Sequence, residues 1–251
     1  TMIDLVKQRF FGSVITDFKV LSSVVLKQVD FTLALFELNN TPNVFEEIYN
    51  NERIIDSLDV KLRREMINTV ALYNPRATEF RQIMSYYDMT REMERMGDQV
   101  MNIAKMVKGI DPTGEISTFY RHDISELLNH AQSMVKQSID SFSTSDSQLA
   151  RATIDADDVV DASFHDLLGR LRTENAGKSL NAQQLNDLIC IDTIAHSVER
   201  IADCATNISE ATIYMTEGLD VKHSVPKKDE AIELTGHLPE SDIELPKVPT
   251  E

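Results

Sequence analysis

The chain has 251 residues, with 41 acidic against 25 basic side chains and a formal net charge of −16. That balance argues against sequence-independent binding to nucleic acid or to an anionic membrane surface, and favours metal cations and basic protein surfaces as partners. The length admits one large domain or two small ones, either with enough chain for a core.

From about residue 12 to 39, Val14, Phe18, Leu21, Val25, Val29, Leu33 and Phe36 recur at spacings of three and four, the period of an amphipathic helix. Asn39-Asn40-Thr41-Pro42 ends it. A second helix is predicted over about 43–73, burying Ile48, Ile55, Leu58, Leu62, Met66 and Val70, and Asn74-Pro75 closes it. The third runs to about residue 108, where Gly109 and then Asp111-Pro112-Thr113-Gly114 mark a turn and a boundary between halves. The order then repeats. A fourth helix spans about 117–142, Asp146 is placed to cap a fifth that runs unbroken to about 173, and a sixth covers about 181–216. No strand signal of comparable length appears. The expected fold is all-α, two tandem three-helix bundles over residues 1–110 and 115–217. Residues 218–251 hold four of the seven prolines mixed with acids, and read as a disordered acidic tail.

Both cysteines, Cys190 and Cys204, fall on the last predicted helix, about 21 Å apart along its axis, too far to bond. A reducing compartment follows as the simpler expectation, and Cys190 reads as a buried small side chain rather than a nucleophile. The ten methionines read as core filler. No signal-peptide pattern opens the chain, and no apolar run approaches the ~20 residues of a membrane span.

The most informative stretch is Glu94-Arg95-Met96-Gly97-Asp98, continued to Asn102-Ile103, because Glu199-Arg200-Ile201-Ala202-Asp203, continued to Asn207-Ile208, repeats it at an offset of 105 residues. Upstream, Glu52-x-x-x-Asp56 and Asp157-x-x-x-Asp161 stand at the same offset. On a helix, carboxylates at i and i+4 project from one face about one turn apart. A hairpin centred on Pro75 sets Glu52 opposite Asp98 and Asp56 opposite Glu94; one centred on Leu180 does the same for the second set. Glu94, Asp98 and Asn102 share one sector of their helix, turned away from Met93, Met96, Val100 and Ile103, so these acids belong on an outer face or in a groove. Four carboxylates on adjacent helices repel unless a cation or an arginine sits among them. A hard or borderline cation is one neutraliser; the alternative is a solvated helix face paired with Arg53, Arg91, Arg95 and Arg200.

The two E-R-[MI]-[GA]-D-x-x-x-N-I segments resemble those of the PhoU family of phosphate-uptake regulators. Pro75-Arg76-Ala77-Thr78-Glu79-Phe80-Arg81 is similar to that family's turn into its third helix, and Asn51-Glu52-Arg53-Ile54-Ile55-Asp56 to its acidic entry into the second. The resemblance covers about residues 14–216. It implies two three-helix bundles and metal clusters on the acidic motifs, held by Glu52, Asp56, Glu94 and Asp98 in one site and Asp157, Asp161, Glu199 and Asp203 in the other. Iron is the first expectation, with zinc, manganese or magnesium as alternatives. It further implies a regulator rather than an enzyme, acting in the cytoplasm at the inner face of the membrane through the phosphate ABC transporter ATPase and a sensor histidine kinase, with a homodimer as one assembly.

Asp59, Asn102, His165, His196 and Asn207 are additional ligand candidates. His165 sits four after Asp161 and His196 three before Glu199; the first reading of both is as surface histidines, and the alternative is mixed nitrogen and oxygen ligation at the second site. At the position of His196 the first half has Arg91, which cannot ligate. Gly97 and Ala202 share a repeat position, and their small size suggests close helix contact. Two further readings stand beside the regulator. One is the cytosolic domain of a sodium-phosphate cotransporter, which transmembrane helices ahead of Thr1 in the parent gene would favour. The other is a carboxylate-bridged metalloenzyme, although neither half shows the Glu-x-x-His ligation of ferritin-type centres.

Overall fold

Apolar residues at helical spacing fold here as they are spaced. The computed structural model describes residues 2–36 and 42–221, with side chains at 11–36 and 43–221. Seven helices follow in order: α1 (Met2–Leu35), α2 (Pro42–Tyr73), α3 (Ala77–Val107), α4 (Glu115–Thr144), α5 (Ser147–Asp155), α6 (Asp157–Asn175) and α7 (Ala182–Glu217). No strand occurs among the described residues. The expected break at 39–41 and the acidic tail from residue 222 onward lie outside the described residues.

Helices α1, α2 and α3 pack on one another, as do α4, the α5–α6 pair and α7, which makes two three-rod bundles. Residues Thr1–Leu219 form one compact unit, joined chiefly where α3 lies against α7 and where α1 meets α4. Phe18, Leu21, Val25, Ile48, Ile55, Leu62, Met93, Met96 and Val100 fill the first core; Leu127, Ala131, Met134, Val160, Leu167, Ile194, Val198 and Ile201 fill the second. The predicted inward stripe holds except that Leu33, Phe36, Leu58 and Val70 are only half-buried, while Thr32 and Leu35 turn inward. A period of 3.6 drifts against any fixed choice of three or four, so the ends of long stripes rotate out of the core.

Two boundaries differ from the sequence expectation. Helix α1 begins at Met2, ten residues before the predicted start. Nothing between Met2 and Phe11 breaks a helix, and Gly12 is carried in its interior at modest cost. The predicted single fifth helix is broken at Ala156, where Val159 N–H bonds back three residues to the Ala156 carbonyl. Asp155, Asp157 and Asp158 surround the break. Aspartate is a weak helix-interior residue, but favours a helix N-terminus, where its charge meets the positive end of the dipole. The chain therefore restarts a helix with Asp157 and Asp158 in its first turn. Asp146 caps α5 as expected, accepting from the backbone N–H groups of Gln148 and Leu149.

The turn between bundles is fastened to the start of α7. Gln183 and Asn186 side chains donate to the Gly109 carbonyl, and the buried Asp187 accepts from the Asp111 N–H at 3.1 Å. At the far end of the molecule an aromatic cluster joins the bundles: Phe18 of α1, Tyr86 of α3 and Phe142 of α4 meet edge-on with centroids 4.8–5.1 Å apart. Among the described residues, no helix is long and apolar enough to cross a membrane.

Phe18 is fully buried at this joint. Phe18→Ala is expected to cost about 3–5 kcal/mol, read as a lower denaturation midpoint in urea monitored by circular dichroism. Both bundles should melt together in that variant, because the lost contacts belong to each.

Candidate metal centre

Each hairpin brings its four acids together as the residue arithmetic requires. Glu52 of α2 feels Asp56, Asp98 and Glu94, and Glu94 of α3 feels Asp98, Asp59 and Asp56. In the second bundle Asp157 of α6 feels Asp161, Asp203 and Glu199. Burial first, and then this like-charge crowding, pushes Glu52 from 4.5 up to about 7 and Asp157 from 3.8 up to about 6. Glu94, Glu199 and Asp203 are raised by the same two causes. The acids line grooves rather than the bundle axis: Asp56, Asp98 and Asp203 are exposed, Glu94, Asp157, Asp161 and Glu199 half-buried, and Glu52 alone is buried, 8% exposed.

Among the described residues, none of the eight is held in an ion pair; Arg63 and Arg95 are occupied elsewhere, and Arg200 acts on Glu199 and Asp203 only through space. Arg63 grips Asp59 through two bonds of 2.7 and 3.1 Å, and Arg95 grips Glu92. The quartets are thus not a neutralised salt-bridge surface. Their donor chemistry, carboxylate oxygen throughout, suits a hard or borderline cation. Among the described residues, no three side chains of Asp, Glu, His or Cys converge closely enough to hold an ion as they stand.

The domain model described as the PhoU domain matches residues 18–107 and again 124–212, one copy per bundle. The chain belongs to the PhoU family. It is 35% identical over 178 residues to the phosphate-specific transport system accessory protein PhoU homolog of Aquifex aeolicus, covering 71% of this chain and 78% of that protein. To the protein of the same description in Pseudomonas putida it is 27% identical over 232 residues, covering 92% and 88%. The crystal structure of PhoU from Pseudomonas aeruginosa superposes with a TM-score of 0.74 at 23% identity, covering 84% of this chain and 99% of that one. That of the phosphate transport system regulatory protein PhoU from Streptococcus pneumoniae also gives 0.74, at 20% identity, covering 87% and 99%. Both likenesses concern the fold.

The additional candidates fare differently from one another. Asp59, 5% exposed, is already neutralised by Arg63. Asn207 points across the bundle interface, donating to Glu92 at 3.1 Å. Asn102 is half-buried one turn past Asp98. His165 is bound through Nδ1 to the carbonyl of Asp161 at 2.7 Å, yet lies near enough to lower the proton affinity of Glu199. His196 stands 3.8 Å from Asp192, with Phe164 edge-on to both imidazoles. The repeat position of Asp59 is Phe164, so the first site is flanked by a part-buried ion pair and the second by an aromatic ring and two histidines.

Sequence reasoning missed the bracket between the bundles. Glu92, Arg95, Asp203, Cys204 and Asn207 meet where α3 and α7 run past each other in opposite directions. Arg95 lowers the proton affinity of Asp203, so a first-bundle cation tunes a second-bundle acid. The repeat position of Glu92 is Ser197, which carries no charge, and the motif comparison therefore gave no signal of it. Cys190 and Cys204 are both buried and free; burial, with Glu92 beside it, raises the Cys204 thiol far above the usual range.

A raised carboxyl destabilises the fold only when charged. Its penalty is absent below the ordinary value and complete above the raised one, so between about pH 4.5 and 7 the metal-free protein loses stability as pH rises. Asp111, Glu174 and Glu217, all lowered, act oppositely and lose their contribution only below that window. With chelator present the melting temperature is expected to be about 3–6 °C higher at pH 5.5 than at pH 7.5. Glu52→Gln should flatten most of that slope in a scanning calorimeter.

Proposed function

We propose that the chain is a metal-binding regulator of phosphate uptake, in which each α-helical hairpin carries one cation site. The observation that carries this reading is the pair of unneutralised carboxylate quartets, one per bundle, in a chain whose named relatives are phosphate-specific transport system accessory proteins. Glu52, Asp56, Glu94 and Asp98 hold one site, and Asp157, Asp161, Glu199 and Asp203 the other. His165 lies near Glu199, and with it as a nitrogen donor the second site would have a mixed donor set and a different metal preference.

A bound cation supplies positive charge where four acids now repel. The protein's own residues then do the rest: Glu52 and Asp56 of α2 are drawn toward Glu94 and Asp98 of α3, and the hairpin stiffens. Loading also removes negative charge from an outer groove and so changes what that face attracts. In this reading the acidic surface docks on the ATPase of a phosphate ABC transporter and on a sensor histidine kinase, and metal occupancy grades the docking. In this reading the protein acts by contact, and no catalytic role is assigned to the carboxylates.

Elemental analysis of protein purified without chelator or histidine tag tests the assignment. The unmodified chain is expected to carry near-stoichiometric or multinuclear metal. A variant with Glu94→Ala, Asp98→Ala, Glu199→Ala and Asp203→Ala should lose it while its far-ultraviolet circular dichroism stays helical. Equal metal in both, or none in either, makes the acids a docking surface only.

A further inference from the structure

Glu52 is the one carboxylate of the eight that is sunk into the bundle, and two neighbours fix how it lies. From α1, the Gln28 side chain donates to Glu52 Oε2 at 3.4 Å while also donating to the Ile48 carbonyl at 3.1 Å. From α3, Gly97 offers an absence: a Cβ placed there would stand 2.6 Å from the same Oε2, 3.4 Å from Glu52 Cδ and 3.3 Å from Ile55 Cδ1. Gly97 lies inside α3 and has no left-handed torsion to explain it. Helix propensity alone would favour alanine at that point. The glycine is there for space, and the space holds a carboxylate.

The repeat states the same constraint a second time with different residues. Ala202 stands where Gly97 does and is fully buried, and opposite it Asp157 stands where Glu52 does. Glutamate facing glycine and aspartate facing alanine carry the same number of side-chain carbons. One methylene has moved from one helix to the other, and the gap between helices is filled equally. Oε2 of Glu52 is engaged inward by Gln28 and α3, which leaves Oε1 as the oxygen available to a cation.

We propose that Gly97 and Ala202 are positioning residues that set the depth of Glu52 and Asp157, so that each hairpin tolerates only a matched pair at these two positions. The proposal rests on the reading of Glu52 and Asp157 as ligands. Its structural half, the matched pair, stands apart from that reading.

The test is two double-mutant cycles, each read as melting temperature in chelator and as metal content without it. Gly97→Ala should lower the melting temperature, opposite in sign to the usual effect of this change in a helix interior, and should cut metal content to about half, leaving the second site filled. Adding Glu52→Asp to Gly97→Ala recreates the pairing of the second bundle and should restore both quantities. In mirror image, Asp157→Glu should disturb the second site and Ala202→Gly should rescue it, which keeps the idea testable if one variant folds poorly. A Gly97→Ala protein as stable as the unmodified chain and with full metal content overturns the proposal, as does a double variant no better than Gly97→Ala alone. Absence of metal from the unmodified protein would remove the ligand reading, while the thermal cycles still decide whether the pairs are matched.

Discussion

Like charges are held close here by forces that act elsewhere on the same helices. The acids of α2 and α3 cannot separate, because Ile48, Ile55, Leu62, Met93, Met96 and Val100, on the other faces of those helices, are buried against α1. Burial of each such side chain is worth roughly 1.5–3 kcal/mol, enough in sum to hold several carboxylates in mutual repulsion. Burial first, and repulsion after it, then appear not as unfolding but as raised proton affinity at Glu52 and Asp157. The core and the site are two faces of one register.

The bundles do not duplicate each other passively. Where α3 crosses α7, Glu92 receives both Arg95 of its own helix and Asn207 of the other bundle. Arg95 in turn moderates Asp203. The second site therefore lies within the field of Arg95, Arg200 and His165, while the first has Arg63 as the cation acting on Glu94. Two quartets of the same plan thus present unequal charge to an incoming ion. A difference in occupancy needs no difference in the acids themselves.

The helices, the two-bundle plan and the opposition of Glu52 with Asp98 and of Asp56 with Glu94 were legible in the sequence, because helical period and hairpin register are fixed by spacing alone. The depth of Glu52 was not legible. It depends on Gln28, which belongs to a third helix, and on a missing Cβ that the sequence displays only as a small residue. Asn207 matched the motif and still turned to the other bundle, since motif identity says nothing about which of two neighbours a long polar side chain will choose. The break at Ala156 was written in Asp155, Asp157 and Asp158, but an acidic helix surface and an acidic helix start look alike when the apolar period runs on across both.

That break separates two kinds of mechanical element. Helix α2 is one rod from Pro42 to Tyr73, and Glu52 and Asp56 sit along its shaft. Asp157 and Asp161 sit instead at the near end of α6, beside a joint whose other arm, α5, packs against α4 and α7. A pull on a shaft between fixed ends is borne as stiffness; a pull beside a joint is shared with α4 and α7, against which both arms pack. The same inward pull on the acids would therefore load a single rod in the first hairpin and the junction of two helices in the second.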